Sequence, residues 1–142
     1  MNLAEAEGIL ALEVEISTAL KLATSQDEFR DDWRLQLAAE RIIERIFQAA
    51  TALADRHQIG YFGDDGLQYL RGMRNRLAHN YLDIDVDILW NTLAEDIPLV
   101  NERMGDDITA ALEVIEEHRR HQRDDAKLWT AEHLSRVNDP DT

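Results

Sequence analysis

Arg71, Arg74, Asn75, Arg76, His79 and Tyr81 fall between Leu70 and Leu82, the one stretch in which basic, amide, imidazole and phenol groups crowd together. Free imidazole has a pKa of about 6.5, so His79 can give or take a proton near neutrality. The Arg74 guanidinium stays charged and offers a planar fork to phosphate oxygens. Asn75 has the donors and the acceptor to orient a substrate or the imidazole. Arg71 and Arg76 add local positive potential, and Tyr81 joins an apolar ring to a polar tip. Each residue also has a purely structural reading. Arg74 can pair with one of many carboxylates, and His79 can interact with a helix C-terminal dipole. Asn75 can be a buried amide holding helix ends together, and Tyr81 can be a core ring.

Helical geometry constrains how these groups meet. At about 100° per residue, Leu70, Leu77 and Tyr81 share one face with Met73 at its edge. Arg71, Asn75 and His79 are spaced by four and stack as a polar stripe on another side. Arg74 and His79 are five apart and so point about 140° away from each other. One straight helix therefore cannot bring both onto one small ligand. Either the helix ends near His79 and the chain bends, or the pair meets its counterpart on a second copy across a two-fold axis.

The elements that must position this stretch read as helices. Residues 3–23 carry Ile9, Leu10, Leu12, Val14, Ile16, Leu20 and Leu22 among acids and alanines, and predict a first helix. Ser25 and Glu28 form a capping-box pattern. A second helix is expected from there to about Arg56, with Leu37, Ile42, Ile46, Ala49, Ala50 and Leu53 buried and Asp32, Glu40, Arg41 and Glu44 on its solvated face. The glycines of residues 59–66 predict a loop, with Tyr61 and Phe62 folding back onto the core. A third helix from about Leu67 carries the central stretch. Asp83, Asp85 and Asp87 alternate; a metal-binding reading is the weaker one, and Asp85 as a helix N-cap the stronger. Val86, Leu89, Trp90 and Leu93 line the fourth helix. Pro98 marks a break and opens a fifth, with Leu99, Val100 and Met104 on its apolar face. A further kink is expected near Gly105, with Ile108, Ala111, Leu112 and Ile115 packing beyond it. From His118 the chain becomes highly charged, with Leu128, Trp129 and Leu134 as a thin apolar pattern; His118 and His121 read as part of a solvated helix rather than as metal ligands.

The fold class expected is therefore all-α, an antiparallel helical bundle of about five helices with a C-terminal helical extension. The division is residues 1–117 as the bundle domain and 118–142 as the charged extension. The chain has 142 residues, enough for a hydrophobic core, and no cysteine, which removes disulfides, thiolate metal sites and a cysteine nucleophile. No apolar run approaches the roughly 20 residues of a membrane span, and the first residues lack the pattern of a signal peptide. A soluble, cytoplasmic protein with no membrane contact is expected. The net charge of −14 repels nucleic acid at long range, so any such role must work through a local basic cleft.

The stretch Gly72 to Tyr81 resembles the signature of HepT-type toxins of the HEPN superfamily, R-x-x-x-x-H-x-Y, filled here by Arg74, His79 and Tyr81. Residues 85–90 and 95–98 resemble the segment after the family motif, and Phe29 with residues 39–46 resembles its second helix. The likeness covers roughly residues 3–117 and makes that part a HEPN-like helical domain. It implies a homodimer with the motif at the dimer cleft and a metal-independent endoribonuclease with no cofactor. It also implies a partner, a small nucleotidyltransferase antitoxin that transfers AMP to Tyr81. Arg74, His79 and Asn75 are then the catalytic residues, with Arg71 and Arg76 as weaker substrate contacts.

The chemistry fits the residues. RNA cleavage without metal needs a base for the ribose 2′-hydroxyl, a cation for the phosphorane-like transition state and an acid for the leaving oxygen. Two copies would supply two His79 imidazoles, one for each proton transfer, and leave a 2′,3′-cyclic phosphate. AMP on Tyr81 would add bulk and negative charge beside Arg74 and His79. Two other readings compete: a non-catalytic nucleotide- or substrate-binding partner of a nucleotidyltransferase, and a purely structural helical dimer.

Overall fold

The computed structural model describes the backbone of residues 1–22, 24–79 and 85–137, with side chains for all of these except 79 and 128–137. The described chain is all-α. Its helices are α1 (Leu3–Leu20), α2 (Gln26–Asp31), α3 (Trp33–Thr51), α4 (Asp55–His79), α5 (Val86–Asn91) and α6 (Ile97–Val137), with a π-helical turn at Thr92–Asp96 joining the last two. Tyr81 and Asp83 lie outside the described residues.

Polar side chains fix several helix starts. Asn2 Oδ1 accepts from the Glu5 amide at 2.8 Å while the Glu5 carboxylate accepts from the Asn2 amide, so the free N–H groups of α1 are closed reciprocally. Ser25 caps α2 as expected, and Glu28 reaches one residue further back, to the amide and hydroxyl of Thr24. Asp85 Oδ1 accepts from the amides of Asp87 and Ile88, confirming it as the N-cap of α5. Asp87 pairs with Arg30 at 2.8 Å, so both described members of the aspartate alternation have structural partners.

The core lies where α1 packs between α3 and α6. Ile9, Leu12 and Ile16 of α1, Ile43 and Ile46 of α3, and Ile97 and Met104 of α6 are essentially solvent-free. Each fully buried aliphatic or methionine side chain contributes about 1.5–3 kcal/mol of transfer free energy. The 3.6-residue spacing of Ile9, Leu12 and Ile16 resolves the ambiguity of α1: Val14, between them, faces solvent at 57% exposure. Leu37, Leu99 and Leu112, expected to be buried, are also exposed, at 43%, 44% and 55%. At about 100° per residue, Leu37 and Leu99 fall on the faces of α3 and α6 turned away from their buried stripes, and Leu112 falls at the edge of its own.

Three expected boundaries are redrawn. The long second helix is two helices, because Asp32 leaves helical geometry (φ −120°, ψ 105°) and caps α3 through the Arg34 amide at 2.9 Å. Gln36 then donates to the carbonyls of Phe29 and Arg30, closing the end of α2. The loop expected over residues 59–66 is a single non-helical residue, Gly63 (φ 77°, ψ 179°), within α4. A non-glycine residue there would be strained by its Cβ, whereas Gly60 and Gly66 stay within the helix, whose Tyr61, Phe62 and Leu70 are buried in the core. Pro98 falls in the first turn of a new helix, α6, as expected, but the chain enters that helix through the π turn rather than through a non-helical loop. In the wide turn before it, the Ile97 amide bonds back to the Thr92 carbonyl, which relieves the crowding a proline imposes on the preceding turn. No kink occurs at Gly105, and α6 continues unbroken across position 118 to Val137.

The second half of α4 is anchored by Leu70 and Met73, both 4% exposed, with Leu77 partly buried. Met73 sits at the centre of the buried face rather than at its edge. Its sulfur lies 3.8 Å from the hydroxyl of the fully buried Thr92, which also donates to the Ile88 carbonyl. With that face fixed on the π turn, Arg71, Arg74 and Asn75 point elsewhere.

Candidate functional site: the cleft between α3 and α4

Phe47, 6% exposed on α3, is the floor from which this site is built. The guanidinium of Arg74 lies 4.7 Å from its ring centroid and that of Arg71 lies 5.6 Å away. Residues three apart on a helix share a face, so both cations reach one ring. Arg74 Nη2 donates to Asn75 Oδ1 at 3.0 Å. That bond uses the amide's acceptor and leaves its NH2 free to donate. Arg74 Nε is buried and has no hydrogen-bond partner, and among the described residues no carboxylate pairs with this guanidinium. The ion-pair reading of Arg74 is therefore replaced by a cation stacked on an aromatic ring with donors unspent.

Beside Arg74 opens a cavity of about 470 Å³ lined by Leu37, Glu40, Arg41, Glu44, Asn75 and Leu77. Arg41 and Glu44, one turn apart on α3, pair along its wall at 3.1 Å. Glu40 has no ion pair or hydrogen bond among the described residues, and burial holds its carboxyl above the usual glutamate range. The described lining is thus zwitterionic, two guanidiniums against two carboxylates, not the basic slot expected from the net charge.

The structure brings Arg74, Asn75 and Arg71 together. Arg76 is exposed and lines no part of the cavity. His79 is the last residue of α4, and its side chain, like all of Tyr81, lies outside the described residues. Sequence reasoning missed Phe47 and assigned Glu40 and Glu44 to plain solvent. The signal was present in the spacing: Leu37, Glu40, Glu44 and Phe47 form one stripe of α3, and a stripe mixing apolar and charged residues is what a ligand-facing surface requires.

A second polar cluster occupies the first half of α4. The Tyr61 hydroxyl donates to Asp107 Oδ2 at 2.5 Å, His57 stacks on the Tyr61 ring at 5.7 Å, and Arg103 donates to the Tyr61 carbonyl at 3.1 Å. Burial first, then the bond to Asp107, holds the Tyr61 phenol well above its ordinary range. This cluster joins α4 to α6. A cavity of about 390 Å³ nearby, between Phe62, Tyr69, Leu70, Asp96, Leu99 and Arg103, contains none of the central stretch's polar groups. Among the described residues, no group of three or more metal-ligating side chains converges, and no helix is long and apolar enough to cross a membrane.

No solved structure matches the chain. Residues 12–106 match the family model described as Ribonuclease HepT-like, a span that includes both walls of the α3–α4 cleft, and the chain belongs to that family.

Proposed function

We propose that the protein is the toxin of a toxin–antitoxin pair, an endoribonuclease that cleaves RNA without metal at a cleft shared by two protomers. The observation that carries this reading is Arg74: stacked on Phe47, paired with no carboxylate among the described residues, and set on a cavity wall in a chain of a ribonuclease family. Its fork binds the scissile phosphate and stabilises charge as the 2′-oxygen attacks phosphorus. Asn75, already oriented by Arg74, donates its NH2 to the phosphate or the neighbouring nucleotide. One His79 takes the 2′-hydroxyl proton and its twin in the other protomer protonates the leaving 5′-oxygen. Arg71 and Arg76 contribute positive potential along the approach. Tyr81, two residues beyond His79, accepts AMP from a nucleotidyltransferase antitoxin, which places a bulky anion where the substrate phosphate would sit.

Incubation with RNA tests the reading. His79→Ala and Arg74→Ala should each lose cleavage while remaining folded and dimeric; undiminished cleavage in both ends it. Mass spectrometry of protein co-expressed with the nucleotidyltransferase should find AMP on Tyr81. The two carboxylates in the cavity lend specific support to a second reading, a companion that binds a nucleotide without cutting RNA. Nucleotide binding by calorimetry together with absent ribonuclease activity selects it.

A further inference from the structure

Glu40 is out of place in a pocket that only grips phosphate. A carboxylate beside a phosphodiester is repulsive unless its oxygens meet hydrogen-bond donors. Glu44 has Arg41 at 3.1 Å, but Glu40 has no partner among the described residues although burial penalises its charge. An unpaired, partly buried acceptor is a cost to the free protein that a ligand bearing donors would offset. Leu37 and Leu77 add apolar lining, which suits a ligand whose polar edge is carried on an apolar ring face. Such a ligand must also join a phosphate, because Arg74 lines the same space. A nucleobase attached to the bound phosphate meets each condition, and about 470 Å³ is within the range of small-ligand pockets.

The polar groups also discriminate among bases. Guanine presents an acceptor, O6, next to two donors, N1–H and the N2 amino group. One carboxylate takes both donors, and an amide NH2 serves the acceptor. Glu40 supplies the carboxylate and Asn75 the NH2 left free by its bond to Arg74. Adenine offers a carboxylate only its amino group, and uracil only N3–H.

We propose that the α3–α4 cavity is a nucleobase subsite that selects guanine, with Glu40 reading the N1–H and N2 amino edge. The proposal rests on the ribonuclease reading for its biological substrate but not for its test. Calorimetric titration of the full-length protein with GMP, IMP and AMP reads the subsite directly, since IMP differs from GMP only in lacking the N2 amino group. GMP should bind about tenfold more tightly than IMP, and AMP more weakly than GMP. Glu40→Gln, checked for an unchanged helical spectrum, should bring GMP to the level of IMP. Equal affinities for the three nucleotides, no binding at millimolar concentration, or a GMP preference that survives Glu40→Gln would each overturn the proposal. A GMP preference without RNA cleavage keeps the subsite and removes the ribonuclease; His79-dependent cleavage with GMP and IMP bound equally does the reverse. When cleavage is present, replacing guanosine by inosine in an RNA substrate should slow cutting at the guanosine sites. Glu40→Gln should abolish that difference, and a uniform rise at all sites would show a charge effect alone and overturn base reading.

Discussion

The two halves of α4, on either side of Gly63, use the same kinds of side chain for opposite ends. In residues 55–62 the polar groups are tied to other helices: Arg56 to Glu5 at 2.6 Å, the Tyr61 hydroxyl to Asp107, and the Tyr61 carbonyl to Arg103. His57 Nε2 is the exception, buried without a partner. In residues 64–79 the cations are left open. Arg71 and Arg74 rest on Phe47 with no carboxylate paired to them among the described residues, and Arg76 is exposed. A guanidinium on a ring is positioned yet keeps its donors, whereas one in an ion pair has given them away. The contrast separates holding a helix in place from presenting its side chains to a ligand.

Breaking each half should therefore cost different things. The largest effect is expected from Arg74→Ala, which should lower RNA cleavage by about 10²–10³-fold with little change in thermal midpoint. Arg74→Lys should recover only part of the rate, because an ammonium keeps the charge but loses the planar fork and the stack on Phe47. The opposite pattern is expected for Tyr61→Phe. Losing the bond to Asp107 should destabilise the fold by about 1–3 kcal/mol in denaturant titrations while cleavage per folded molecule stays unchanged. Gly63→Ala probes the joint itself. At φ 77° and ψ 179° a Cβ is strained, so about 1–3 kcal/mol of destabilisation should follow. If Gly63→Ala instead leaves stability intact, the two halves are not separated by a conformation that requires glycine.

The smallest effect sharpens the cleft's side of the comparison. Burial raises the Glu40 pKa in the folded state, so its protonated form is favoured there. Its contribution is most favourable below the pKa of the unfolded chain and is lost as pH rises through the folded pKa. Glu40→Gln should therefore stabilise the protein slightly at neutral pH, by about 0.5 kcal/mol or less, and have no such benefit in acid. Melting curves at the two pH values check the sign.

Much of the scaffold was legible because it depends on local rules. Asp85 and Ser25 act as caps, and Tyr61 and Phe62 return to the core, since a carboxylate or hydroxyl before a helical run and a large ring beside glycines have few alternatives. Helix boundaries were less legible. Asp32 looks like one more charge on a solvated face until Gln36 and the Arg34 amide turn it into a junction. Pro98 does open a helix, but that the helix is entered through a π turn and not a loop is not visible in its local sequence.

By itself the sequence determined the helical class, the caps and the motif bearing Arg74, Asn75, His79 and Tyr81, because periodicity, side-chain chemistry and spacing are properties of the chain. Only the tertiary structure decided that Arg74 lies on Phe47 rather than on a carboxylate, and that Leu37 and Glu40 face a cavity rather than core and solvent. These positions lie 27 to 37 residues from Arg74 along the chain. They meet it because burial of Leu70 and Met73 fixes the rotation of α4 against α3, a choice made by packing free energy summed over the whole core and carried by no local pattern.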